Sequence, residues 1–328
     1  MPWELIILID VIILNLVFRY ILRIELEPYF GFDIANPFLK TIVPLLVASI
    51  ALRALLRYVN GQKIESKMVW RAWIRPVTLI DLVRLLFWVA LTVYAYTWLK
   101  IFVPLLNTHL YDPLMYRIDN FLHFGVNPNR FLIALFPQPW FLHFLDWEYT
   151  IYHPTMVAGA AWFMATPSRS ERFRFVAAFL LLWVTSSWLY VAIPVLSPCY
   201  ALPGDFTHVH QTMPKIALFQ EMLIHHYALI KSPQKANALK AIIPIFGVAA
   251  FPSLHVAAQC LLALWARRRN RILFILFGAL TFITFLASLI SGCHYAVDGY
   301  VGILMAVLLV WIFEKKRKRE PATEVPAK

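Results

Sequence analysis

The chain has 328 residues, 61% of them hydrophobic and 15% charged, with a mean hydropathy of +0.66 and a formal net charge of +12. A soluble protein carries about a quarter charged residues, so the composition excludes an ordinary soluble domain and implies an all-α, polytopic bundle of membrane helices. The positive charge does not imply a nucleic-acid partner: 18 of the 30 basic residues fall in four short patches, Arg53 to Arg75, Arg169 to Arg174, Arg267 to Arg271 and Lys315 to Arg319, as cytoplasmic loops require.

Eight apolar runs are expected to cross the membrane, near 5–23, 37–56, 77–105, 147–165, 173–194, 250–266, 272–291 and 295–313. The first has no small-residue cleavage site after it and reads as a retained helix, not a signal peptide. Placing the basic patches inside puts both termini in the cytoplasm and four loops outside, about 24–36, 106–146, 195–249 and 291–294. The outer segment 106–146 is long and aromatic. It reads as a packing cap whose second half lies in the interface or re-enters it. The tail EPATEVPAK reads as disordered on composition. Cys199, Cys260 and Cys293 have no metal-ligand spacing and read as free thiols, although Cys199 and Cys293 share the outer face.

Two outer helix starts carry chemistry. FPSLHVA opens the sixth helix and SGCHYAVDGYVG the eighth. Pro252 suits a first helical position, and Ser253 brings a hydroxyl to a positive helix end. Two such ends facing one spot would cradle a phosphate. His294 and Asp298 stand at i and i+4, on one helix face within bonding reach. A carboxylate on one ring nitrogen fixes the tautomer and makes the other nitrogen the better nucleophile. His255, on the neighbouring helix, is placed to act as a general acid. Each residue alone has a plainer reading, a snorkelling or hydrogen-bonded structural group, and two histidines with one carboxylate also suit a metal.

These stretches resemble the second and third signature motifs of the type 2 phosphatidic acid phosphatase (PAP2) superfamily. PSLH, Pro252 to His255, is similar to that family's P-S-G-H, and HYAVD, His294 to Asp298, to the core of its S-R-x5-H-x3-D. The resemblance implies a six-helix core formed by the third to eighth helices. It also implies His294 as a nucleophile that becomes phosphohistidine, Asp298 as its orienter and His255 as the leaving-group acid. The chain then divides into an N-terminal hairpin and loop over 1–76, a catalytic core over 77–313 and a basic tail over 314–328.

The departures are informative. Phosphatases of the superfamily carry an Arg six residues before the nucleophile, where this chain has Ser288, with Ala287 in place of the preceding Ser. Their K-x6-R-P motif has no match on the outer face, and KMVWRAWIRP, Lys67 to Pro76, has the wrong spacing and lies in a cytoplasmic loop. The chain shares these departures with the inositol phosphorylceramide synthase-like branch. YVAIPVLSPCYALP, LMYRIDNFLHFGVNPNRFL and YTIYHPTM resemble that branch's segments, the last supplying His153. Substrate binding is expected at Ser253, Lys240 or Lys235, His153 and Tyr295, with His208, His210, His225 and His226 as surface or lid residues. The expected activity is transfer of a phospho-head group between a phospholipid donor and a lipid alcohol at the non-cytoplasmic face, without metal or cofactor. Lipid phosphate hydrolysis is the alternative, and a non-catalytic lipid or ion carrier the third.

Overall fold

The computed structural model describes residues 2–23, 28–59, 73, 75–232 and 247–319. Among the described residues all the regular structure is helical, with no strand. Helix α1 (Pro2–Leu16) continues as a π-helical stretch to Leu22 and is followed by α2 (Pro28–Val59) and α3 (Pro76–Leu106). The segment over 106–146, expected to lie outside, holds α4 (Asp112–Leu122) and α5 (Pro128–Leu135), and α6 (Pro139–Met164) and α7 (Arg169–Ala192) follow it. Short turns over Pro198–Ala201, Pro203–Phe206 and Thr207–Thr212 lead to α8 (Pro214–Lys231). The last three helices are α9 (Leu254–Ala266), α10 (Arg271–Ile290) and α11 (Ala296–Arg319).

Local chemistry sets the starts. Proline occupies the first turn of α3, α4, α5, α6 and α8, where its missing N–H costs nothing. Side chains of Asn127, Ser168, Ser253 and Asn270 accept the orphan N–H groups that open α5, α7, α9 and α10. Pro252 therefore precedes the cap instead of occupying the first helical position, since Ser253 takes the cap and α9 starts at Leu254.

Six described helices are long and apolar enough to span a bilayer: α1 with its π-helical extension, α2, α3, α7, α10 and α11. The other two expected spans form as helices of a different kind. Helix α6 starts eight residues before the expected 147 and is long, but its first fifteen residues carry Asp146, Glu148 and His153. Helix α9 has only 13 residues, about 20 Å against the roughly 30 Å of hydrocarbon. It is the buried centre of the bundle, packed on α10, α11, α6 and α7. Trp265, Val256 and Leu261 on it are at most 1% exposed.

The N-terminal hairpin lies against the outside of this core, α1 on α3 and α7, α2 on α3 and α6. Trp188 Nε1 donates to Asp10 Oδ1 at 2.5 Å, and Arg84 grips Glu4 with two nitrogens. Outward-facing Leu5, Val83, Ile275, Phe282 and Leu304 are 55–67% exposed, the surface a helix presents to lipid tails. Phe121 (83%), Phe124 (99%) and Trp140 (71%) are exposed on the outer segment. The three cysteines are free thiols. Lys235, Lys240, Lys67 and the tail 320–328 lie outside the described residues.

Candidate active site

Helices α9 and α11 bring PSLH and HYAVD together. Gly302 allows the approach: a Cβ there would stand 2.6 Å from the Ser253 carbonyl oxygen. The Ser253 N–H donates to the Asp298 carbonyl at 2.9 Å, tying the start of one helix to the other. Gly292, at φ +72°, makes the turn that precedes His294, a backbone region that favours glycine.

The three expected groups lie in series. His294 pairs its Nδ1 with Asp298 Oδ2 at 3.3 Å and its Nε2 with His255 Nδ1 at 3.2 Å. Asp298 is fully buried, and its Oδ2 also accepts from the Tyr295 N–H at 2.9 Å. A carboxylate can only accept, so it selects the tautomer of His294 that carries the proton on Nδ1. Nε2 then presents a lone pair towards His255. The His255 ring is held between Tyr149 and Tyr152, with ring centroids 4.9 and 4.7 Å away. A two-histidine, one-carboxylate metal centre needs its donors to converge on one point; these form a chain, His255 to His294 to Asp298.

The outer segment takes part in the site more directly than a packing cap does. Asp119 of α4 is fully buried and accepts from the N–H groups of Ala296 at 2.7 Å and Val297 at 2.9 Å. Asn129 of α5 donates to the carbonyls of Leu289 at 2.8 Å and His294 at 3.1 Å. Asp112 accepts from Leu196 N–H, Ser197 N–H and, at 3.3 Å, the Tyr295 hydroxyl. His294 is thereby flanked by bonds to residues 160 or more positions earlier. Burial pushes the Asp119 carboxyl up to about 6 in spite of its two N–H partners. In the sequence these three residues stand among other polar residues of the same stretch, and nothing in their spacing marks them as partners of the loop around His294.

This arrangement changes the expected phosphate cradle. The first N–H groups of α11 are taken by Asp119, and Tyr295 N–H by Asp298, so that helix end faces carboxylates. Ser253 is fully buried and accepts from Val256 N–H at 3.5 Å. It caps α9. The first-turn N–H groups of Leu254 and His255 are what the α9 end offers an anion.

A cavity of about 460 Å³ opens beside the histidines, lined by His255, His294, His153, Tyr149, Tyr152 and Tyr190 among others. His153 thus shares a wall with the pair. Ser253 and Tyr295 do not line the cavity; Tyr295 is 1% exposed and turned to Asp112. His208, His210, His225 and His226 lie outside the lining, and His226 is buried. Helix α8, which no expected span covers, closes one side through Lys215, Ile216, Phe219, Gln220 and Leu223. Lys100 of α3 also lines the wall, a residue that its place inside an apolar run concealed.

A family model described as the PAP2 superfamily matches residues 113–312. No curated protein and no solved structure gives a match to the chain. The matched stretch runs from α4 to α11 and contains His255, His294 and Asp298. Members of this superfamily are generally phosphatases or phosphotransferases. With more than half its length matched, this multi-pass membrane chain belongs to the PAP2 superfamily.

Proposed function

We propose that this protein is a lipid phosphotransferase of the inositol phosphorylceramide synthase-like kind, working at the non-cytoplasmic membrane face. The observation that carries the reading is the series Asp298, His294, His255, whose two histidines stand at the wall of the cavity. His294 Nε2 attacks the phosphorus of a phospholipid head group. The N–P bond forms as the P–O bond to the lipid alcohol breaks, and His255 gives that oxygen its proton. A second lipid alcohol then attacks the phosphohistidine; its proton passes to His255, the N–P bond breaks and His294 is restored. Asp298 steadies the ring and its positive charge in both halves. A phosphoryl group on Nε2 needs the space where His255 Nδ1 stands 3.2 Å away, so the His255 ring must give way on binding.

Position 288 supports transfer over hydrolysis. Where the phosphatases that the chain resembles carry Arg, Ser288 is fully buried, its hydroxyl donating to Phe285 and its carbonyl accepting from His294 N–H. The test is incubation of the protein in lipid with labelled phosphatidylinositol and ceramide, or with phosphatidate alone, followed by mass spectrometry. New phosphosphingolipid without free phosphate, abolished by His294→Ala, is the expected result. Phosphate released from phosphatidate would make the protein a hydrolase. Equal turnover by His294→Ala would remove the nucleophile assignment.

A further inference from the structure

We propose that Lys100 is the cation that binds the donor phosphate beside His294, in place of the arginine and lysine that the PAP2 phosphatase motifs supply. The inference rests on the phosphotransfer reading above and names the anion-binding residue of that same site.

Lys100 lies six residues before the end of α3, about 9 Å in from the helix end at 1.5 Å per residue. It is half-buried. A lysine that serves only topology snorkels along the lipid face to the headgroups. Lys100 instead turns inward, its Nζ 5.6 Å from the Tyr96 ring centroid and 5.4 Å from that of Tyr190. Both tyrosines line the cavity with it, as do His255 and His294. An ionisable group that faces a membrane protein's interior is expensive to keep and marks a ligand or ion path by default.

Charge balance says what the ligand is. Among the described residues the cavity wall carries two lysines, Lys100 inside and the exposed Lys215 on α8, and no carboxylate. The tyrosine faces offset part of the desolvation of an ammonium, but they leave its donors without an anionic partner. The α11 end is closed to an anion by Asp119, and Ser253 is spent as a cap. Among the described residues, what remains for a phosphate inside the cavity is the α9 first turn and Lys100. The backbone holds these two in register: a Cβ at Gly247, on the segment that leads into α9, would stand 2.6 Å from the Lys100 carbonyl oxygen.

The experiment titrates the full chain in phosphate-free detergent with inorganic phosphate, read by ³¹P line broadening. Wild type, Lys100→Met, Lys100→Arg and His294→Ala are compared. Methionine keeps the stem against the tyrosines and removes the charge; arginine restores the charge and controls for folding. Wild type, Lys100→Arg and His294→Ala are expected to bind phosphate, with Lys100→Met weaker by tenfold or more, as loss of a charge-assisted bond requires. Dihexanoyl phosphatidylinositol should displace the phosphate if the donor is a phosphodiester lipid, and dihexanoyl phosphatidate if it is a monoester. Equal binding by wild type and Lys100→Met, no binding by wild type, or displacement by neither lipid would each overturn the assignment. The phosphotransfer reading fails separately, if His294→Ala turns lipid over as wild type does.

Discussion

His294 is fixed on every side by short-range polar bonds: its N–H to the Ser288 carbonyl, its own carbonyl to Asn129, and its ring to Asp298 and His255. Under the proposed mechanism the Asp298 bond matters most, because it decides which ring nitrogen carries the proton. Asp298→Asn keeps the shape but offers an amide that can donate to Nδ1 and favour the wrong tautomer. Turnover is expected to fall by about 10²–10⁴-fold with little change in the amount of folded protein, measured by turnover assay alongside size-exclusion chromatography. Asp119 has a different signature. Its carboxyl, raised to about 6, lies above an unfolded value of about 3.9. The folded protein therefore holds that proton more tightly, a stabilisation that is full below about pH 4 and lost as pH rises through about 6. Asp119→Asn cannot titrate. The difference in melting temperature between wild type and Asp119→Asn should shift against wild type between pH 4.5 and 6.5 and flatten above. A difference constant across that range would show that Asp119 has an ordinary carboxyl.

At the scale of elements, what could be read in the sequence followed a clear physical divide. Long apolar runs announce themselves, so all eight expected spans appear as helices, and the pairing of PSLH with HYAVD followed from their shared outer starts. Bonds between a single side chain and a distant backbone leave no periodic trace. Asp112, Asp119 and Asn129 therefore gave no sign that α4 and α5 hold the loop around His294, and the α11 N-terminus looked free for an anion although Asp119 occupies it. Helix α8 stayed hidden because histidines, glutamine and lysines interrupt its apolar residues. The start of α6 lies ahead of the expected one because its first turns, PWFLHF, look like interfacial loop, rich in aromatic residues. If α4 and α5 are a scaffold for the site, Asn129→Ala should act on activity as well as stability. It leaves the buried carbonyls of Leu289 and His294 without their donor, a loss of about 1–3 kcal/mol. A tenfold or greater fall in turnover, together with a lower melting temperature, is expected. A lower melting temperature with unchanged turnover would mean that the segment only packs.

The whole molecule has two unlike ends, the histidines at one and paired ions at the other. Helix α9 runs from Ser253 and His255 at the site to Arg267, and α11 from Ala296 beside His294 to Lys315. Both end among Arg268, Arg269, Glu171 and Glu314, which pair with one another at the pole opposite the histidines. Arg169 and Asp81 join the same pole through α7 and α3. Short basic loops stay in the cytoplasm, so the proposed orientation turns the cavity, α4, α5 and α8 outward. Exposed Phe121, Phe124 and Trp140 would then lie at the outer headgroup level, where a lipid can enter the cavity sideways without crossing the bilayer. Reporter cysteines settle the orientation in a background freed of Cys199, Cys260 and Cys293. Leu218, 68% exposed on α8, and Ile272, 77% exposed at the opposite end of the bundle, are replaced singly by cysteine in sealed cells. A membrane-impermeant maleimide should label Leu218→Cys at once and Ile272→Cys only after the membrane is opened. The reverse pattern would put the site in the cytoplasm and require a cytoplasmic donor lipid.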